Sequence, residues 1–115
     1  MSNVLFVEDE ADLRTLMFEA LSDQGYTVTL ARNGREALLA LGGEVTFSHV
    51  ISDISMPEGV TGIDVANQAA QMQPGVRIVL ASGYQRSQLP PLPPGTRFLS
   101  KPYRIRQLIN ALQDL

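Results

Sequence analysis

Glu8, Asp9 and Glu10, then Asp53, Ser82 and Lys101, each stand at or just after the end of a short apolar stretch of the chain. If those stretches are strands of one parallel sheet, the residues that end them gather at one edge, however far apart they lie in sequence. Carboxylates crowded in this way repel: at ~4 Å and an effective dielectric of ~20, one pair costs roughly 4 kcal/mol. They must share a proton, spread into solvent or hold a cation. An oxygen-only cluster with no cysteine in the chain and no histidine nearby suits Mg²⁺, which takes a few carboxylates together with waters and phosphate oxygens. Lys101 adds a second positive charge and Ser82 a hydroxyl. Acids, cation, lysine and hydroxyl together describe a site for a phosphoryl group on a carboxylate, the chemistry of aspartyl phosphorylation.

The elements that must position these residues read in alternation. "NVLFVED" is an apolar run ending on acids, as a strand buried in a parallel sheet would be. Leu13, Leu16, Met17, Ala20 and Leu21 recur at helical spacing, with Gly25 as a stop. "YTVTLA" suits a strand, and "NGREALLAL" a helix reciprocally capped by Asn33 and Glu36. "FSHVISD" is a third strand, "TGIDVANQAAQM" a helix closed by Pro74 and Gly75, and "VRIVLAS" a fourth strand. "TRFLS" is a short fifth strand, and Ile105, Leu108, Ile109 and Leu112 mark a last amphipathic helix running to the C-terminus. Glu10 reads as a helix-start residue favoured by the dipole, and His49, inside a strand, as structural.

At 115 residues the chain is long enough for one domain, 1–115, and too short for two. A net charge of −3 argues against nucleic acid as the main partner. No run approaches the ~20 apolar residues of a membrane span, and the first residues lack a signal peptide's apolar core. A cytoplasmic protein is expected. No G-x-x-x-x-G-K-[ST] loop or G-x-G-x-x-G turn is present, so nucleotide binding has no support. A dehalogenase-type phosphatase would want a second Asp two positions beyond Asp53, where this chain has Ser55.

In order and spacing, "LFVEDE", "VISDISMPEG", "VLASGY" and "FLSKPY" resemble the response-regulator receiver domain of two-component signalling, over essentially the whole chain. The resemblance implies a flavodoxin-like α/β fold, a doubly wound five-stranded parallel sheet of order 2-1-3-4-5. It implies that Asp53 is the phosphoacceptor, taking the group from a histidine kinase or histidine phosphotransfer protein. Asp9 would be the direct Mg²⁺ ligand, beside Asp53 and the backbone carbonyl of Ser55. Glu8 holds the place of the second acid, more often Asp in the family. Ser82 matches the hydroxyl that binds the new phosphoryl oxygen, Lys101 the lysine that pairs with it, and Phe98 the aromatic that moves with Ser82. Pro102 implies a cis Lys-Pro bond. Such a domain is no enzyme beyond its own phosphorylation and dephosphorylation. Ser55 and Tyr84 flank the phosphoryl position, and neither is suited to orient an attacking water, so slow loss of the group is expected.

Two features depart from the commonest pattern. "MPEGVTG" has one residue more between its Pro and its final Gly than many members of the family, so the loop after Asp53 is slightly longer. "SQLPPLPPGT", residues 87–96, stands where a fourth helix is due, and its prolines leave room for at most one turn before an extended stretch. The segment reads as a replaced helix, with a P-x-x-P ligand for a partner as the lesser reading. A stand-alone receiver, which Met1 slightly favours, and a receiver cut from a larger chain such as a hybrid kinase both fit. The alternative function is an interaction module whose binding no longer depends on phosphate. The downstream partner is not readable.

Overall fold

The three apolar runs that end at Glu8, Asp53 and Ser82 fold here as central strands buried on both faces. The computed structural model describes residues 2–56 and 59–113. Its elements are β1 (Asn3–Val7), α1 (Ala11–Asp23), β2 (Thr27–Ala31), α2 (Gly34–Leu41), β3 (His49–Asp53), α3 (Gly62–Met72), β4 (Arg77–Ser82), β5 (Arg97–Ser100) and α4 (Ile105–Gln113). The five strands form one parallel sheet in the order β2-β1-β3-β4-β5, the flavodoxin-like arrangement expected. Asp114 at the end of the chain and Pro57 and Glu58 in the "MPEGVTG" loop lie outside the described residues.

Alternate strand residues face opposite layers. Leu5, Val7, Val50, Ile78 and Leu80 share one core with α2 and α3, through Ala37, Leu41, Val65, Ala66 and Ala69. Val4, Phe6, Ile51 and Val79 share the other with α1 and α4, through Met17, Leu21, Leu108 and Leu112. His49 is structural. Buried at the start of β3, it donates from Nε2 to the Leu112 carbonyl at 3.0 Å and sets Nδ1 2.8 Å from Ser48 Oγ. Burial, with the charge of Arg77 adding to it, holds its pKa below the ordinary histidine value against the pull of that carbonyl.

Helix ends follow local chemistry. Thr61 and Asp64 form a full capping box on α3, Asp64 N–H to Thr61 Oγ1 at 3.2 Å and Thr61 N–H to Asp64 Oδ2 at 3.0 Å. On α2 only half of the expected reciprocal cap forms. Asn33 Oδ1 accepts from Glu36 N–H at 2.9 Å, but the Glu36 carboxylate turns to Arg32, whose backbone N–H and guanidinium both reach it. A fork of charged donors outcompetes one neutral backbone group.

Between β4 and β5 the described chain makes one 3₁₀ turn, Arg86–Gln88, and then runs extended. Leu89 and Leu92 lie half-buried against the α2–α3 core and Pro93 is buried, while Pro90, Pro91 and Pro94 face solvent. The segment closes on Gly95, whose φ of +81° favours glycine, with Thr96 N–H donating to the Pro93 carbonyl at 3.2 Å.

Candidate phosphoacceptor site

The register of the sheet explains how residues scattered through the sequence meet. Val7 is level with Ser52, Asp53 with Ala81, and Ser82 with Ser100. Glu8, Asp53, Ser82 and Lys101 therefore emerge side by side at the carboxyl ends of β1, β3, β4 and β5. Backbone bonds carry the ladder past the strand ends: Glu8 N–H to the Ala31 carbonyl at 3.0 Å, Ile54 N–H to Ala81 at 2.9 Å, and Lys101 N–H to Ser82 at 2.8 Å. The Lys101-Pro102 bond is cis, as expected.

Glu8, Asp9 and Asp53 each offer a carboxylate oxygen, and the three lie within 4.8 Å of one another. Asp9 is exposed, whereas Glu8 and Asp53 are buried. Lys101 Nζ stands 2.5 Å from Asp53 Oδ1. Burial of the Lys101 ammonium would by itself lower its pKa. The hydrogen bond and charge of Asp53, with the charges of Glu8 and Asp9, outweigh this and hold it above the ordinary lysine value. Glu8 goes the other way. Its burial, reinforced by the charge and hydrogen bond of Asp53 and the hydrogen bond of Asp9, pushes its pKa up to about 8, although the Glu10 N–H donates to Oε2 at 3.1 Å. The crowded acids thus settle their repulsion in three ways: one keeps a proton at neutral pH, one stays in water, and one leans on a lysine.

That donor set fits Mg²⁺. It is hard, oxygen-only and compact, and its buried acid, Glu8, has the raised pKa that a nearby cation would lower. Beside it, Asp53, Ser55, Ala81, Ser82, Gly83, Tyr84 and Lys101 line a cavity of about 210 Å³. Ser82 is buried, and its Oγ accepts from Tyr84 N–H at 2.9 Å, leaving its own proton to donate. Ser55 and the Tyr84 ring are exposed at the rim. Phe98 lies apart from this cavity, half-buried and packed against the same α2–α3 core as Leu89 and Leu92.

Residues 4–113 match the family model of the response regulator receiver domain. The chain is a response-regulator receiver domain. It is 35% identical over 118 residues to the response regulator receiver protein CpdR of Brucella abortus, covering all of this chain and 97% of that protein. It is also 35% identical over 120 residues to the sensor kinase CckA of the same organism, where 99% of this chain spans only 12% of the kinase. The solved structure of response regulator TrrA from Thermotoga maritima, in complex with Mg²⁺-BeF, superposes with a TM-score of 0.79. The two are 30% identical, with 98% of this chain and 97% of that chain covered.

Two residues around the site of this receiver have no role assigned by the sequence alone. Tyr103, after the "KP" pair, has its phenol pKa pushed up by burial and by the charges of Asp53 and Glu8, so it stays protonated beside the acids. Arg14, on α1, donates from Nη1 to the Glu8 carbonyl at 2.8 Å. The Arg14 contact has no spacing signature, because it depends on how the loop after β1 turns against α1.

Proposed function

We propose that this receiver is a phosphoacceptor: Asp53 attacks the phosphorus of a phosphohistidine on a histidine kinase or histidine phosphotransfer protein. The P–N bond breaks, an acyl-phosphate P–O bond forms at an Asp53 oxygen, and the imidazole leaves with a proton. The observation that carries this reading is the placement of Asp53, buried, within 4.8 Å of two further acids and 2.5 Å from the Lys101 ammonium. Mg²⁺ held by Glu8, Asp9, Asp53 and the Ser55 carbonyl would neutralise charge on the transferred group. Lys101 is positioned to turn from the carboxylate to a new phosphoryl oxygen, and the Ser82 hydroxyl to donate to another. Phosphorylation gives the Asp53 side chain a charge of about −1.5 to −2 in place of the carboxylate's −1, with new acceptor oxygens. Hydrogen bonds that Ser82 and Lys101 make only in that state favour a second conformation, which Phe98 follows as the switch residue and a partner reads. The domain acts on no substrate but itself, in the cytoplasm, and among the described residues no helix is long and apolar enough to cross a membrane.

Intact mass spectrometry after incubation with Mg²⁺ and a small-molecule phosphodonor tests this. The parent gains one phosphoryl mass, lost slowly because Ser55 and Tyr84 orient no water, and Asp53→Asn gains none. A parent that never gains the mass overturns the proposal in favour of an interaction module independent of phosphate.

A further inference from the structure

We infer that Arg14 is a positioning residue for the acid cluster, acting on the backbone of the loop that carries Glu8 and Asp9. The inference rests on the Mg²⁺ reading above. The guanidinium of Arg14 reaches back from the start of α1, donating from Nη1 to the Glu8 carbonyl at 2.8 Å, with the Asp9 carbonyl at 3.4 Å. Glu8 is thereby fixed at three points. Its N–H is tied to Ala31, its carbonyl is held by Arg14, and its carboxylate accepts from the Glu10 N–H. Asp9 has less to hold it: it is exposed, and its direction is set by the same turn of loop. The two acids belong to one short loop between β1 and α1, whereas Asp53 comes from β3. A clamp from the helix to that loop therefore fixes two of the three donors relative to the third.

Charge and position make opposite demands here, which lets them be separated. If Arg14 acted only through its charge, it would repel a divalent cation, and Arg14→Met would bind Mg²⁺ more tightly. If it acts by holding the carbonyls, the same substitution loosens the donors and weakens binding. Loss of an outer partner of metal ligands typically costs about 10- to 100-fold in affinity. Arg14→Lys keeps the charge and can reach one carbonyl, but lacks the planar fork.

The experiment is a Mg²⁺ titration of the parent, Arg14→Met and Arg14→Lys followed by amide NMR, with exchange of the Glu10 amide measured before metal is added. The expected result is a dissociation constant raised about 10-fold in Arg14→Met and by less in Arg14→Lys, with faster Glu10 exchange in the metal-free variant. Equal or tighter binding by Arg14→Met, with the parent binding normally, overturns this inference and leaves the metal reading intact. A parent that does not bind Mg²⁺ overturns both. If Arg14→Met does not fold, Arg14→Lys decides: binding equal to the parent with unchanged Glu10 exchange overturns the inference, and weaker binding supports it.

Discussion

Two crossovers cover the same side of this sheet, and they do it by different means. From β3 to β4 the chain passes through α3, a helix with a full capping box and with Ile63, Val65, Ala66 and Ala69 turned into the core. From β4 to β5 it passes through one 3₁₀ turn and an extended stretch that offers Leu89 and Leu92 to that core and buries Pro93. A helix solves the problem of its backbone donors by pairing them internally. The second segment solves it by having fewer: Pro90, Pro91, Pro93 and Pro94 carry no N–H at all. Coverage of a sheet thus needs apolar side chains at suitable points and a backbone with few donors left to satisfy. A helix is one of two solutions seen in this molecule.

The largest effect is expected where α3 meets the end of β3. A Cβ on Gly62 would lie 2.0 Å from the Asp53 carbonyl oxygen and 2.9 Å from Ile54 Cα, both backbone atoms with little room to retreat. Gly62 N–H also donates to the Ile54 carbonyl at 2.9 Å. Gly62→Ala must lift the helix start off the strand, at a cost of about 3 kcal/mol or more from overpacking and the lost bond. Thermal unfolding should show a fall of roughly 10 °C or more. A loss below about 1 kcal/mol would mean that the α3 crossover is as forgiving as the proline one.

Truncations on the two crossovers give the next test. Ile63 on α3 is 9% exposed and Leu92 is half-buried. Ile63→Ala is expected to cost about 3 kcal/mol and Leu92→Ala about 1–2 kcal/mol, the smaller value reflecting partial burial. Urea unfolding of both variants measures the ratio. No loss in Leu92→Ala would make the proline segment a mere connection. Equal losses would make it the equal of a helix.

The parts legible in sequence were those that depend on period and order. Glu8, Asp53, Ser82 and Lys101 stood out because each closes an apolar run, and a parallel sheet turns that sequence fact into a shared edge. The proline stretch was legible for an equally local reason, since a residue without N–H cannot continue a helix. Contacts set by the width of a neighbour or the path of a loop were not. Helical spacing grouped Leu16 with Met17 and Leu21, yet Leu16 is 49% exposed while the other two are buried. Periodicity gives the direction of a face but not how far the opposing layer extends. Gln73 was silent in sequence, but its side chain accepts from Phe47 N–H at 2.6 Å and donates to the Leu41 and Val45 carbonyls at 3.3 and 3.2 Å. Such ties across the fold follow from packing, and no local pattern announces them.

The smallest effect asks which feature holds the second crossover extended. Pro90 and Pro91 are exposed, so their replacement opens no cavity. What they contribute is a stiffer unfolded chain, and restoring freedom to it at both positions should cost about 1 kcal/mol together. If Leu89 and Leu92 fix the path through their grip on the core, Pro90→Ala with Pro91→Ala loses that much stability, and its far-UV circular dichroism does not change. If the prolines alone forbid a helix, the 3₁₀ turn at Arg86–Gln88 can extend through the two alanines, and the helical signal rises by about a turn. The unchanged spectrum is expected. Pro93 is buried, Pro94 follows it, and Gly95 at φ +81° ends the segment, so a helix begun at Arg86 would have to pull Leu92 from the core before it gained a second turn.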